Sequence, residues 1–104
     1  MEKLADRIKR RRDTFENLEA GLGLIKKAAV DLDPHAEVYL FGSTASTGSK
    51  IAGDIDVLIV TEMKPDVVIT HFWKMGFSDP FEFHVRTADQ AAPYFRRDNP
   101  RRIQ

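Results

Sequence analysis

Residues 37–60, EVYLFGSTASTGSKIAGDIDVLIV, decide the fold because they contain two apolar stretches separated by a loop of small residues. The first stretch, residues 37–41, predicts a short and mostly buried strand that Gly42 ends. The second, residues 54–60, is β-branched and apolar after its acidic start and predicts the strongest strand in the chain. Residues 43–53 are too small and polar for a core. We therefore predict two strands joined by an exposed loop.

The turn after the first predicted strand has the composition of a phosphate-binding turn. Gly42 and Ser43 follow the strand directly, and a Gly-Ser pair at such a place exposes backbone N–H groups that a phosphate can approach closely. The Ser43 hydroxyl adds a donor, and Lys50 places a positive charge nearby. We therefore predict that Gly42, Ser43 and Lys50 bind phosphate.

Two carboxylates open the second predicted strand. Asp54 and Asp56 are two residues apart, so in a strand they project from the same face, roughly 6.5–7 Å apart. Carboxylate oxygens suit Mg²⁺ or Mn²⁺, and two such ions hold the attacking and leaving oxygens in phosphoryl transfer. The alternative is a solvent-facing strand start. The apolar residues that follow argue against it, because paired carboxylates in a buried strand are costly unless a cation is bound.

The N-terminal segment predicts helix. Apolar residues recur at spacings of three and four through residues 4–32, which defines one helical face. A single spacing of seven skips a turn, where Arg11 stands at the expected apolar position. Gly21 and Gly23 each cost a helix about 1 kcal/mol relative to alanine. The segment is therefore either one long helix with a weak point or two helices that meet near these glycines, and Pro34 ends it.

A second helical segment follows the strong strand. Pro65 is placed to begin it and Gly76 to end it, as expected for proline at a helix start and glycine after a helix end. Phe72, Trp73 and Met75 are predicted to lie in the core.

The last third of the chain predicts one more strand and one more helix. Residues 81–85 alternate apolar and polar side chains, which predicts a strand with one buried face. Thr87 is a helix-capping residue for a helix from residue 88 to about residue 97. The order α-β-β-α-β-α predicts an α/β (α+β) domain, a small mixed sheet flanked by helices.

Charge is distributed unevenly along the chain. The 104 residues contain 16 Lys+Arg and 16 Asp+Glu, a net charge of zero. Residues 1–12 nevertheless carry +4 and residues 94–104 carry +3, so the middle carries −7. Basic ends attract phosphate backbones or an acidic protein, or are simply solvated helix faces. The absence of cysteine excludes a disulfide scaffold and a thiol nucleophile. No apolar run approaches the roughly 18 residues of a membrane span, and we expect a cytoplasmic protein.

The quoted segment resembles the signature of the DNA polymerase beta-like nucleotidyltransferase superfamily, and more closely that of its minimal (MNT-type) members. The residues that carry the resemblance are LFGS at 40–43, the loop with Gly48, and GDIDVLIV at 53–60. The resemblance implies the polymerase beta-like fold and a single nucleotidyltransferase domain. Its parts are the N-terminal helix or helix pair at 1–33, the catalytic core at 37–97 and a basic tail at 98–104.

The family places a third carboxylate on a later strand, and the resemblance implies that Glu82 fills this place. Asp54, Asp56 and Glu82 would then be the catalytic residues and metal ligands. His84 shares the polar face of the strand with Glu82. It either supports the site, by orienting a ligand or contacting phosphate, or is an ordinary surface residue. Two departures from close relatives are residues 44–47, where an arginine is common, and Gly53, where serine is common.

The resemblance implies a metal-dependent enzyme that uses Mg²⁺ or Mn²⁺ to transfer a nucleoside monophosphate, AMP from ATP, to an acceptor hydroxyl. Minimal members pair with HEPN-type helical proteins as antitoxins, so the acceptor would be a hydroxyl of such a partner, unless the chain forms a homo-oligomer. One alternative is an inactive binding module that neutralises a partner by contact. Another is an RNA-modifying enzyme, which is disfavoured because the chain lacks interleaved aromatic and basic residues.

Overall fold

The backbone contains the predicted succession of helices and strands. The computed structural model describes residues 3–42 and 53–104, and within these residues it contains four helices and four strands. In chain order they are α1 (Leu4–Glu16), α2 (Leu18–Leu32), β1 (Glu37–Phe41), β2 (Ile55–Val60), α3 (Pro65–Lys74), β3 (Phe81–Arg86), α4 (Ala88–Asp98) and β4 (Arg101–Arg102). None of these helices is long and apolar enough to cross a membrane.

The strands form one mixed sheet in the order β3-β2-β1-β4. β1 pairs antiparallel with β2 and with β4, whereas β2 and β3 are parallel. The predicted α+β architecture with a small mixed sheet is therefore confirmed.

The C-terminal segment departs from the predicted basic tail at 98–104. Arg101 and Arg102 pair with β1 as an edge strand, and the backbone N–H of Ile103 donates to the carbonyl of Val38 at 2.8 Å. Ile103 is buried in the core. A two-residue strand next to one apolar residue leaves no periodic pattern, so the sequence alone predicted a polar tail here.

Helices cover both faces of the sheet. In β2, Ile55 and Val57 lie in the larger core cluster, which contains the buried residues of α1, α2 and α3. Leu58 lies in the smaller cluster with Tyr39 and with Ala91 of α4. Alternation of side chains along a strand thus puts one helix, α4, over the face from which Asp56 projects.

The N-terminal segment is two helices, but they meet at Asn17 and not near Gly21 and Gly23, so the predicted position of the break is wrong. Asn17 ends α1 because its backbone, with φ −111° and ψ 31°, leaves the helical conformation. Its side chain and backbone N–H both donate to the carbonyl of Asp13, at 2.9 and 3.0 Å. Both glycines lie within α2. Burial of Leu22 between them offsets their low helix propensity, because burying a leucine stabilises by about 1.5–3 kcal/mol.

Helix α3 begins at Pro65 as predicted, and Gly76 just after it adopts a φ of +92°. Phe72 is fully buried. Trp73 is 63 % exposed and Met75 is also exposed, so their predicted core positions are wrong. Only residues three or four apart share a helix face, and the buried face of α3 is the one that carries Phe72.

Thr87 caps α4 as predicted. Its hydroxyl accepts from the backbone N–H of Gln90 at 3.3 Å, and the Gln90 side chain accepts from the backbone N–H of Thr87 at 3.0 Å. This reciprocal pair is a capping box, and it fixes where the helix over the Asp56 face begins.

Phe72→Ala tests the packing between α3 and the sheet. The Phe72 ring stacks on Phe83 with a centroid distance of 4.6 Å, so we expect the free energy of unfolding to fall by about 3–5 kcal/mol in urea titrations. Trp73→Ala is the matched control, and for this exposed side chain we expect a change within about 0.5 kcal/mol. Equal losses in the two variants would contradict the described orientation of α3.

Candidate functional site

Pairing between β2 and β3 brings two predicted site residues together. Asp56 of β2 lies opposite Glu82 of β3 in the parallel register. His84 follows two residues later in β3, so it projects from the same face as Glu82. Asp56 and Glu82 are therefore neighbours across the sheet.

The three side chains form a compact group. The His84 Nε2 atom lies 3.4 Å from Asp56 Oδ1 and 3.8 Å from Glu82 Oε1. One potential ligand atom from each residue lies within 4.8 Å of the others. The Asp56 and His84 side chains are 25 % and 22 % exposed, and Glu82 is 53 % exposed. Two carboxylate oxygens and an imidazole nitrogen facing solvent at this spacing are suitable ligands for a divalent cation.

His84 is the residue whose role sequence reasoning left open. The structure shows that His84 is not an ordinary surface residue, because its ring packs edge-on against Phe41 and Tyr94 at centroid distances of 4.9 and 6.0 Å. Period-two alternation in β3 indicated that His84 shares a face with Glu82. Only the packing of β1 and α4 around the ring shows that this face is half-buried at His84.

The other predicted residues are placed as follows. Asp54 lies just before β2, is exposed, and is not part of the group formed by Asp56, Glu82 and His84. Ser43 and Lys50 lie outside the described residues. The predicted metal-binding role of Asp54 and the predicted phosphate-binding roles of Ser43 and Lys50 therefore stay predictions.

Gly42 lies directly against the Asp56 carboxylate. A Cβ atom at Gly42 would stand 3.3 Å from Cγ of Asp56 and closer still to Oδ2. Gly42 also has a φ of +76°, in the left-handed region that glycine adopts without penalty. The sequence indicated that glycine at this position lets a phosphate approach the backbone N–H groups. The structure adds that the missing side chain leaves room for the carboxylate itself.

Two arginines pack against Tyr94, the aromatic residue that contacts His84. The Arg86 and Arg97 guanidinium carbons lie 5.7 and 5.4 Å from the centre of the Tyr94 ring, and Tyr94 in turn contacts His84. The face therefore combines carboxylates that attract a cation with nearby positive charges that attract an anion. A metal-bound phosphate compound combines both kinds of charge.

A family model described as "Nucleotidyltransferase domain" matches residues 22–96. The match begins within α2 and ends within α4, so it includes β1, β2, β3 and the whole candidate site. No curated protein and no solved structure gives a significant match to the chain.

Gly42→Ala tests the close approach to Asp56. We expect it to destabilise the fold by more than the roughly 1–2 kcal/mol that a left-handed φ costs an alanine, because the new methyl group displaces the Asp56 carboxylate. Gly76→Ala is the matched control, since Gly76 also has a positive φ but no atom within 4 Å of an added Cβ. The measurement is urea unfolding of both variants. An equal loss for the two would show that φ alone accounts for the effect.

Proposed function

We propose that this chain transfers a nucleoside monophosphate from a nucleoside triphosphate to an acceptor hydroxyl. The chain belongs to the nucleotidyltransferase domain family and is a transferase of phosphorus-containing groups. ATP is the proposed donor and AMP the transferred group. The observation that supports this most directly is the group of Asp56, Glu82 and His84 on adjacent strands within the matched region.

Asp56 and Glu82, with Asp54, are the proposed ligands of the divalent cation. When bound, the cation neutralises charge on the phosphate oxygens and orients them for in-line displacement. The oxygen donors suit Mg²⁺ or Mn²⁺. Glu82 has a more exposed side chain than Asp56 or His84, so it is the proposed acceptor of the proton from the attacking hydroxyl.

Gly42, Ser43 and Lys50 are the proposed binding site for the β- and γ-phosphates. Gly42 supports this because it lies against the carboxylate of Asp56, which is a proposed ligand of the cation. Arg86 and Arg97 add positive charge on the same face. Phosphate oxygens bound at Gly42 would therefore lie close to the cation that the carboxylates are proposed to hold.

Asp56→Asn tests the proposed reaction because it removes one negative charge with little change in size. We expect transfer of label from α-³²P-ATP, with Mg²⁺ or Mn²⁺, to fall at least about a hundredfold, as when one electrostatic group is removed from an active site. Glu62→Gln, an exposed carboxylate beyond the far end of β2, is the matched control and keeps full activity. Wild-type levels of labelling by Asp56→Asn would overturn the assignment.

We further propose that the acceptor is a Tyr, Ser or Thr hydroxyl on a HEPN-type helical protein in the cytoplasm, with this chain as the antitoxin. The resemblance to minimal nucleotidyltransferases supports this, as do Leu4 and Ile8, which are exposed apolar residues on the basic helix α1. Such exposed apolar residues are common in surfaces that bind another protein.

The protein encoded by the adjacent gene is the acceptor to test. We expect incubation with this chain and each labelled nucleoside triphosphate to label the partner, most strongly from ATP. Leu4→Ser with Ile8→Ser reduces that labelling and lowers co-purification. Co-purification without labelling would favour the binding module. A homo-oligomer by light scattering, with no bound partner, would overturn the pairing.

A further inference from the structure

Arg11 lies at the point where the apolar repeat of α1 is interrupted, and we infer that it is a positioning residue for the carboxylate group. The inference deepens the proposed function and rests on it, since it concerns the cation that this function requires. The Arg11 side chain is only 13 % exposed. A charged side chain buried to this extent requires partners for its donors, and those partners show what it does.

One guanidinium joins the two segments that lead into the site. Arg11 Nη1 donates to Asp79 Oδ1 at 2.6 Å, and Nη2 donates to the backbone carbonyl of Gly53 at 2.5 Å. Gly53 stands three residues before Asp56, and Asp79 stands three residues before Glu82. Arg11 therefore bonds to the chain just before each of the two carboxylates.

The two segments also touch each other where Arg11 holds them. The backbone N–H of Ile55 donates to the carbonyl of Pro80 at 2.8 Å, and Ile55 lies opposite Phe81 in the parallel register. Arg11 fixes both segments to α1 at this junction. A shift of either segment would change the spacing between Asp56 and Glu82.

Asp79 depends on Arg11 for its strong contact. Arg7 and Arg10 lie 3.8 and 3.6 Å from Asp79 Oδ2, which is beyond hydrogen-bond distance, and both are exposed. Asp79 Oδ2 is buried and has no hydrogen-bond partner among the described residues. Exposed ion pairs of this kind contribute little, so the arginines next to Arg11 do not replace it.

The geometry requires arginine rather than another cation. A guanidinium is a planar fork with several donors, so it bonds to a carboxylate and a carbonyl at once, whereas a lysine ammonium acts as a single point of charge. Arg11 lies outside residues 22–96, which match the family model. The support that Arg11 gives to the site thus comes from α1, a helix that precedes the matched region.

The test compares Mn²⁺ binding, measured by the electron paramagnetic resonance signal of free Mn²⁺, with steady-state transfer kinetics. We expect Arg11→Ala to weaken Mn²⁺ binding about tenfold, the lower end of the effect of removing a group that orients metal ligands. Saturating Mn²⁺ restores most of kcat. Arg11→Lys binds Mn²⁺ with intermediate affinity, and millimolar guanidinium ion restores the affinity of Arg11→Ala.

Two controls separate positioning from general stability. Arg12→Ala removes the neighbouring exposed arginine of α1 and leaves Mn²⁺ affinity unchanged. Ile25→Val weakens the core under α2 and lowers the melting temperature without changing Mn²⁺ affinity. All variants are compared at a temperature at which circular dichroism shows them folded, and Arg11→Lys replaces Arg11→Ala if the latter does not fold.

The outcomes distinguish this inference from the proposed function. Wild-type Mn²⁺ affinity in folded Arg11→Ala and Arg11→Lys would overturn the positioning role, as would an equal loss of affinity in Ile25→Val. Mn²⁺ binding by the wild type that weakens in Arg11→Ala, without any transfer of nucleotide, would support the positioning role and overturn the proposed reaction. A wild-type chain that binds no Mn²⁺ would overturn both.

Discussion

The parallel pairing of β2 with β3 is the constraint on which the candidate site depends. It places Asp56 opposite Glu82, with the His84 imidazole 3.4 and 3.8 Å from their oxygens. Two negatively charged carboxylates whose oxygens lie within 4.8 Å of each other repel one another. The hydrogen-bonded register between β2 and β3 holds them there nevertheless. A fold that maintains such a pair provides the charge that a divalent cation requires.

Two residues of opposite character support this pair from outside the strands. Gly42 acts by having no side chain, since a Cβ atom would occupy the space of the Asp56 carboxylate. Arg11 acts through its long side chain, which bonds to Asp79 and to the carbonyl of Gly53. Gly53 thus contributes through its backbone carbonyl. One support comes from within the matched family region and the other from the helix before it.

The net charge of zero has a structural meaning within the described residues. Basic residues from both ends of the chain fold back onto acidic residues of the middle, as in the pairs Arg11–Asp79 and Arg101–Glu19. Arg97 lies over the Tyr94 ring beside the site. The sequence left three interpretations of these charges, namely that they bind phosphate, that they bind an acidic protein or that they face solvent. For these arginines the surroundings include the chain itself.

The sequence by itself determined β1, β2, β3, the helical segments and the position of Asp56 at the start of a strand, because period-two and helical spacing and the Gly-Ser and Asp-x-Asp patterns are local, whereas Glu82 was indicated only by the resemblance. Thr87 shows how far this extends, since its cap was predicted to the residue. Tertiary structure alone decided the exposure of Trp73 and the contacts of His84 and Arg11. Each of these depends on which distant side chains and carbonyls lie nearby in space, and no local pattern records that. For Arg11 the sequence showed only an interrupted apolar repeat, whereas the fold supplies acceptors that are 42 and 68 residues away along the chain.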